Sequence, residues 1–175
     1  MGLESIFNWL LERLKDVLPL FVVLQYQEAV LLRGGKFKKV LAPGVYFKIP
    51  IYDEIIYQIV VTTTLSLPAQ SLTTKDSKDI VVKGMVKYKI LDTKIFILEV
   101  FDAIDAISDI TQAVIKNIVM ESSWQECLGT EVDNEITKKA RSEIKKYGVH
   151  IEQVTLTDIT KTRSIRLFNE GPSII

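Results

Sequence analysis

The sequence is poor in the side chains on which most enzymes and metal sites depend. Its 175 residues include one histidine, His150, and one cysteine, Cys127. A single cysteine excludes an internal disulfide and a cysteine-based zinc site, and it suits a reducing compartment. Basic and acidic residues both total 22, so the net charge is zero and no overall field attracts nucleic acid. Any affinity for a membrane must therefore come from apolar burial.

Catalytic motifs are missing as well. Ser-His-Asp chemistry would need His150 as its base, and no Gly-x-Ser-x-Gly turn occurs. The stretch "RGGKF" at residues 33–37 lacks the spacing and the hydroxyl residue of a P-loop. His150 and Glu152 could form an acid/base pair on one strand, but an exposed strand histidine is the simpler interpretation. We therefore expect no catalytic residue, no cofactor and no metal.

From residue 22 onward, strand patterns come first. Gly34 and Gly35 separate two strand-like runs and predict a tight hairpin, because glycine readily takes positive φ. Between residues 80 and 90, apolar residues alternate with lysines, which predicts a strand with one wet face. A last strand is expected at residues 149–160, where the alternation slips near Gln153 and indicates a β-bulge.

Two main amphipathic helices are predicted between these strands. Apolar residues recur at three and four positions through residues 104–118, after an N-cap at Asp102. A second apolar stripe runs through residues 132–147, with Thr130 as its expected cap and Gly148 as its end. Strands grouped before helices indicate an α+β fold, with a largely antiparallel twisted sheet and two packed helices.

Two blocks of opposite charge lie on these helices. The acidic block, on the first helix, consists of Asp102, Asp105 and Asp109. The basic block, on the second helix, consists of Lys138, Lys139, Arg141, Lys145 and Lys146. Both blocks suit their helix dipoles, so they can simply be solvated helix faces. The alternative is self-association, in which the acidic block of one copy meets the basic block of the next and forms rings or filaments.

The first 21 residues are rich in apolar side chains but carry four charges between residues 12 and 16. These charges disfavour a membrane span, because near the bilayer centre they would together cost roughly 10–14 kcal/mol. A cleaved signal is disfavoured because no lysine or arginine precedes the apolar run. As a helix, the segment carries an apolar stripe that consists of Leu3, Ile6, Phe7, Trp9, Leu10, Leu11, Leu14, Val17, Leu18 and Phe21.

This stripe has two interpretations. An amphipathic helix of this kind can lie in the plane of a membrane surface and make lipid contact through the stripe. It can equally fold onto the protein's own sheet. In both cases Pro19 is expected to turn the chain out of the helix and into the first strand.

Three stretches together resemble the stomatin–prohibitin–flotillin family, also called SPFH or Band 7. The first is "QEAVLLRGGKFKKVLAPGVYFKIPIYDEI" at residues 27–55, and the others are residues 70–92 and 147–159. In the first stretch, the positions that carry the resemblance are Glu28, Arg33, Gly35, Pro43, Gly44, Phe47, Pro50 and Asp53. The resemblance depends on the order and spacing of these stretches, and it spans residues 22–159.

The resemblance implies a non-enzymatic, membrane-associated scaffold. Such a scaffold self-associates at a lipid membrane and organises lipids or regulates membrane proteins such as proteases or channels. On this interpretation, residues 1–21 are an in-plane membrane helix, residues 22–160 are the SPFH domain, and the protein is peripheral on the cytoplasmic face.

The resemblance also has a limit at the end of the sequence. Relatives continue into an Ala/Glu-rich coiled coil, whereas residues 161–175 have no such pattern and contain Gly171-Pro172. We therefore expect a minimal relative or a fragment, with only weak homo-oligomers in solution. The alternative is a soluble protein-binding module whose first helix packs on its own domain or on a partner helix.

Overall fold

Antiparallel strands precede and follow the helices in residues 19–162, the part of the chain that the computed structural model describes. The strands are β1 (Leu20–Val23), β2 (Gln27–Arg33), β3 (Lys36–Leu41), β4 (Gly44–Phe47), β5 (Asp53–Ile59), β6 (Thr63–Ser66), β7 (Gln70–Thr73), β8 (Asp79–Ile90) and β9 (Val149–Lys161). The α-helices are α1 (Ala103–Glu121), α2 (Trp124–Cys127) and α3 (Thr130–Ile144). One π-helical turn, Ile95–Glu99, precedes α1, and a 3-10 turn, Lys145–Tyr147, follows α3. The predicted α+β class is confirmed.

Strands β1 to β5 form an N-terminal lobe. Its two small antiparallel sheets have the orders β1-β4 and β3-β2-β5. The predicted hairpin between β2 and β3 is confirmed, because Gly34 and Gly35 lie at φ values of 57° and 73°. A small core fills the lobe, with Val23, Ala29 and Leu31 among its buried residues.

Phe21 belongs to this core. Its side chain is only 8% exposed, and its ring centroid lies 5.7 Å from that of Tyr46 and 6.5 Å from that of Tyr57. The prediction that Phe21 contacts a membrane is therefore wrong, because β1 begins at Leu20 and pairing with β4 turns Phe21 inward. The other residues of the predicted stripe lie before residue 19, outside the described residues, and their membrane contact stays a prediction.

The C-terminal lobe is built on the long strand β8. One edge of β8 pairs with β6 and β7, and the other edge pairs with β9, all antiparallel. As predicted, one face of β8 is buried, with Ile80, Val82, Val86, Tyr88 and Ile90, while its three lysines are exposed. Helices α1 and α3 supply the rest of the core, with Ile107, Ile115 and Ile136 fully buried.

The predicted β-bulge in β9 is confirmed. The register passes from Lys87–Gln153 to Tyr88–Ile151, so one extra residue, Glu152, is accommodated in β9. A second shift separates Lys83 from Gly84. With these two bulges, the 13-residue β9 stays paired with β8 over the length of that strand.

The helix ends agree with the predictions except at one cap. The Asp102 side chain accepts a hydrogen bond from the Asp105 backbone N–H at 3.2 Å, as expected of an N-cap. Gly148 ends the helical region in the left-handed conformation, at φ 74°. Thr130 is not the cap of α3, because the cap position is Gly129 and no side chain bonds there.

A partly buried hydrogen bond joins the two lobes. The Thr93 hydroxyl, in a residue only 2% exposed, donates to the carboxylate of Glu28 in β2. Near it, the Lys94 ammonium lies 5.5 Å from the centre of the Phe37 ring. Between residues 19 and 162, no helix is both long enough and apolar enough to cross a membrane.

Candidate functional site

The ribbon of β1 and β4 exposes large apolar side chains on its outer side. Leu20 pairs with Phe47 and Val22 pairs with Val45, and all four side chains are exposed. Phe47 and Val45 are 75% and 66% accessible to solvent. Since neighbouring residues of a strand point to opposite sides, this ribbon is apolar both toward the core and toward solvent.

The loop between β4 and β5 extends this apolar surface. Ile51 is fully exposed and lies at φ 74°, a left-handed conformation that a β-branched residue rarely adopts. Tyr52, beside it, is 66% exposed. Strained backbone of this kind persists only where surrounding contacts hold it, and it concentrates at functional sites.

The contacts that hold the loop come from Arg33 and Asp53. The guanidinium of Arg33 donates to both carboxylate oxygens of Asp53, at 2.7 and 2.9 Å. Asp53 also accepts from the backbone N–H of Ile49 at 2.8 Å. The Arg33 hydrogen bonds and then the Ile49 hydrogen bond lower the pKa of Asp53 to about 2, so this carboxylate stays ionised at neutral pH.

Together these residues form a surface that we call the apolar edge: Leu20, Val22, Val45, Phe47, Ile49, Ile51 and Tyr52. Of the 20 exposed large apolar side chains in residues 19–162, 14 lie between Leu20 and Val61. Single exposed apolar residues are common on proteins, but a contiguous group marks an interaction surface. The apolar edge is the strongest candidate site in the described residues.

The apolar edge was not predicted from the sequence, although a signal was present. Residues 20–24 and 45–47 are apolar at every position, whereas a strand with one wet face alternates. Continuous apolar runs are typical of strands that are covered on both sides. The run therefore indicated a second covered side, and only the strand pairing shows where that side lies.

The two predicted charge blocks are partly engaged within the chain. Asp102 serves as the cap of α1, while Asp105 and Asp109 are exposed on its surface. In the basic block, the ammonium of Lys139 lies 3.3 Å from a carboxylate oxygen of Glu135, and that of Lys146 lies 5.0 Å from the centre of the Tyr147 ring.

Arg141, also in the basic block, holds the last strand. It donates to the backbone carbonyls of Ile151 and Glu152, at 2.7 and 2.9 Å. Lys138 and Lys145 are exposed. Pairing between the acidic and basic blocks of two copies stays a prediction.

The His150–Glu152 pair is poorly arranged for proton transfer. Glu152 accepts a hydrogen bond from the Thr62 hydroxyl at 2.7 Å and lies 3.5 Å from the Lys87 ammonium. The Thr62 hydrogen bond and the charge of Lys87 lower the pKa of Glu152, which makes it a weak base. Within residues 19–162, no group of three or more potential metal ligands comes together.

Comparison with known proteins shows which family this chain belongs to. The model of the SPFH domain / Band 7 family matches residues 21–166. The chain belongs to this family. The resemblance in the sequence is thereby confirmed, and two of the residues that carry it, Arg33 and Asp53, are the pair that holds the Ile51 loop.

Relatives of this chain include archaeal and animal proteins. A stomatin homologue of Pyrococcus horikoshii is 24% identical over 140 residues, which are 79% of this chain and 53% of the homologue. An uncharacterised protein of Methanocaldococcus jannaschii is 27% identical over 152 residues, 86% of this chain and 76% of that protein. Mouse stomatin is 22% identical over 142 residues, 79% of this chain and 50% of stomatin. The chain thus spans about half the length of the stomatins it matches.

Membership of the SPFH family supports a scaffold of the stomatin type in general, and stomatin-family proteins are membrane-associated in general.

Proposed function

We propose that this protein is a non-enzymatic scaffold that rests on the surface of a lipid membrane and self-associates there. The observation that carries the proposal is the apolar edge, a group of exposed apolar side chains on the β1–β4 ribbon and the loop after it. Burying such side chains in the boundary between lipid headgroups and acyl chains is favourable in proportion to the area removed from water.

The chain enters the fold beside this surface. The backbone carbonyl of Pro19 accepts a hydrogen bond from the N–H of Lys48 at 2.6 Å, so residues 1–18 attach next to the end of β4. Stable membrane attachment generally takes two signals, because one weak anchor binds reversibly. We propose that the helix of residues 1–18 is one signal and that the apolar edge is the other.

The proposal extends to location and partners. We place the protein at the cytoplasmic face, since the only cysteine, Cys127, is unpaired and buried, as suits a reducing compartment. At that surface it organises lipids or regulates membrane proteins such as proteases or channels. The proposal of such clients rests on family membership.

Flotation of the full chain with liposomes tests the proposal. Phe47→Glu with Ile51→Glu should strongly reduce the fraction that floats, because each change places a charge on the apolar edge. Leu91→Glu with Phe101→Glu is the matched control, since both side chains are also highly exposed but lie in the C-terminal lobe. Equal flotation of the native chain and the Phe47/Ile51 variant would contradict a role for the apolar edge.

A second variant tests the other anchor. Replacement of Phe7, Leu10 and Leu14 with glutamate should also release the chain from liposomes while its thermal unfolding stays unchanged. If this variant loses its cooperative unfolding transition, the first helix packs on the protein itself. That outcome, together with no flotation of the native chain, would favour the soluble protein-binding module.

A further inference from the structure

The zero net charge of the chain conceals a charge difference between its two lobes. Residues 20–61, which form the N-terminal lobe, contain five basic and three acidic residues. Residues 62–162, which form the C-terminal lobe, contain 13 basic and 15 acidic residues. The lobe that presents the apolar edge is therefore positive, whereas the other lobe is negative.

Two lysines of β3 lie on the side of the β3-β2-β5 sheet that faces the β1–β4 ribbon. Opposed residues of antiparallel strands share one face of a sheet. Lys39 is opposed to Leu31, which is buried in the core that the sheet shares with the ribbon. Lys36 is opposed to Arg33, two residues further along the same face. The Lys39 ammonium lies 5.8 Å from the centre of the Tyr46 ring in β4, so β3 directs positive charge toward the ribbon.

The tip of the hairpin between β2 and β3 lies against the loop of the apolar edge. The backbone N–H of Gly34 donates to the carbonyl of Tyr52 at 2.8 Å, which brings Lys36 close to this loop. A further lysine, Lys48, directly follows Phe47 at the end of β4. We call the lysines that border the apolar edge the cationic rim: Lys36, Lys39 and Lys48.

Within residues 19–162, no carboxylate forms an ion pair with the cationic rim. Asp53 is engaged by Arg33 at 2.7 Å. In the register of β2 and β5, Glu28 and Glu54 lie on the opposite face of the sheet, away from the ribbon. On that face, Glu28 accepts a hydrogen bond from Thr93 of the C-terminal lobe. The acidic residues of the N-terminal lobe therefore leave the positive charge of the rim in place.

We infer that the cationic rim makes the apolar edge selective for membranes that carry anionic phospholipids. The inference rests on the proposed function, because the rim acts on a lobe that lies at a membrane surface. Lysine suits this position, since its stem covers apolar surface while its ammonium group reaches the headgroup phosphates. Each lysine close to an anionic membrane surface strengthens binding about fivefold, and this attraction falls off within a Debye length.

The charge difference between the lobes also orients the protein. An anionic membrane attracts the N-terminal lobe and repels the negative C-terminal lobe. The apolar edge is thereby turned toward the lipid before its side chains are buried.

Binding of the full chain to two kinds of vesicle tests this inference. One kind consists of phosphatidylcholine, and the other contains about 30% phosphatidylserine in phosphatidylcholine. At low salt, the native chain should bind the anionic vesicles at least about tenfold more tightly, because three lysines contribute. Added salt should reduce this difference, since it screens the charges.

The rim variant is Lys36→Gln with Lys39→Gln and Lys48→Gln. It should lose most of the preference for anionic vesicles, while its binding to phosphatidylcholine vesicles and its thermal unfolding stay as in the native chain. Arginine at the same three positions preserves the charge and should preserve the preference.

A matched control changes three lysines of the C-terminal lobe. Lys83→Gln with Lys89→Gln and Lys116→Gln removes the same number of charges from exposed positions. This control should keep the preference of the native chain, because these lysines lie far along the sequence from the apolar edge and outside its lobe.

The outcomes separate this inference from the proposed function. Equal binding of the native chain to both kinds of vesicle would overturn the inference alone, and so would an undiminished preference in the rim variant. Absence of binding to both kinds would contradict the proposed membrane role as well. A dimer that sedimentation detects without lipid, and that Phe47→Glu dissociates, would assign the surface to a second copy and overturn the inference.

Discussion

Single residues decide how the strands and helices meet, and Gly148 is the clearest case. It lies at φ 74°, and its carbonyl accepts hydrogen bonds from the N–H groups of Leu91 and Asp92. A β-carbon at this position would lie 2.6 Å from the carbonyl oxygen of Asp92. Only glycine satisfies both the backbone conformation and this close approach.

Gly148→Ala should therefore be strongly destabilising. The matched control is Gly34→Ala, because Gly34 also has positive φ but a β-carbon added there would meet no atom within 4 Å. The control should lose about 1–2 kcal/mol in free energy of unfolding from backbone strain alone. Gly148→Ala should lose about 1–3 kcal/mol more, because the backbone must also move apart. Urea unfolding measures both, and equal losses would contradict the steric argument.

At the same scale, the Arg33–Asp53 pair makes stability depend on pH. The pKa of Asp53 is about 2 in the folded chain, below its ordinary value of 3.8, chiefly because of the Arg33 hydrogen bonds. A lowered folded-state pKa stabilises the fold above the unfolded-state pKa, and this contribution is lost as pH falls through the folded-state pKa.

Asp53→Asn should remove this part of the pH dependence. The native chain should lose free energy of unfolding between about pH 4 and pH 2, and the variant should lose less over the same interval. Other carboxylates with a lowered pKa, such as Glu152, keep some slope in both proteins. Chemical unfolding at several pH values gives the dependence of the free energy of unfolding on pH for both proteins. An identical dependence would show that folding does not lower the pKa of Asp53.

At the scale of elements, helix α3 protects the free edge of β9. Three side chains on one side of this helix, spaced four residues apart, contact β9: Asp133, Thr137 and Arg141. Asp133 accepts from the N–H of Leu156, Thr137 exchanges hydrogen bonds with Val154, and Arg141 donates to two β9 carbonyls. An unprotected strand edge would offer its backbone to other chains.

Thr137→Val tests this protection. The change preserves shape but leaves the buried N–H of Val154 without the hydroxyl that accepts its bond at 2.9 Å. An unsatisfied buried N–H costs about 1–3 kcal/mol of stability, and the variant should also aggregate more readily. Ser142→Ala, on the exposed side of α3, should change stability by less than about 0.5 kcal/mol. A Thr137→Val protein as stable as the native chain would refute the role of the hydroxyl.

The expected cap of α3 is absent because of the same contacts. The sequence shows Thr130 followed by an acidic residue at the third helical position, as in a capping box. In the fold, the Asp133 carboxylate bonds the N–H of Leu156, 23 residues away, and no side chain caps α3. Burial raises the pKa of Asp133, as expected from its enclosed position between helix and strand. Asp133 therefore accepts a hydrogen bond from the distant Leu156 instead of from the residue at the cap position.

At the scale of the whole molecule, the two lobes carry different tasks. The N-terminal lobe presents the apolar edge, whereas the C-terminal lobe holds the larger core and both charge blocks. If the N-terminal lobe rests on a membrane, copies of the protein are confined to one layer. Confinement raises the effective concentration, so contacts too weak for solution can organise the protein there.

Charge reversal tests self-association through the two blocks. Lys138→Glu with Lys145→Glu should reduce crosslinking between chains on vesicles, and Asp105→Lys with Asp109→Lys in the same protein should restore part of it. These positions leave the Asp102 cap and the Arg141 hydrogen bonds intact. Exposed ion pairs contribute only about 0–1 kcal/mol each, so crosslinking in solution should be faint and should fall with added salt. Undiminished crosslinking of the reversed protein would show that the blocks are solvated helix faces.

Residue order alone was enough to predict the succession of elements, the α+β class, the hairpin at Gly34-Gly35, the β9 bulge and the end of the helical region at Gly148. These features depend on periodicity and backbone freedom, which are local properties of the chain. The burial of Phe21, the second apolar side of the β1–β4 ribbon and the contact of Arg141 with a strand edge emerged only from the folded structure. They depend on which distant strands pair and which helix covers them, and such partners are not encoded in the spacing of neighbouring residues.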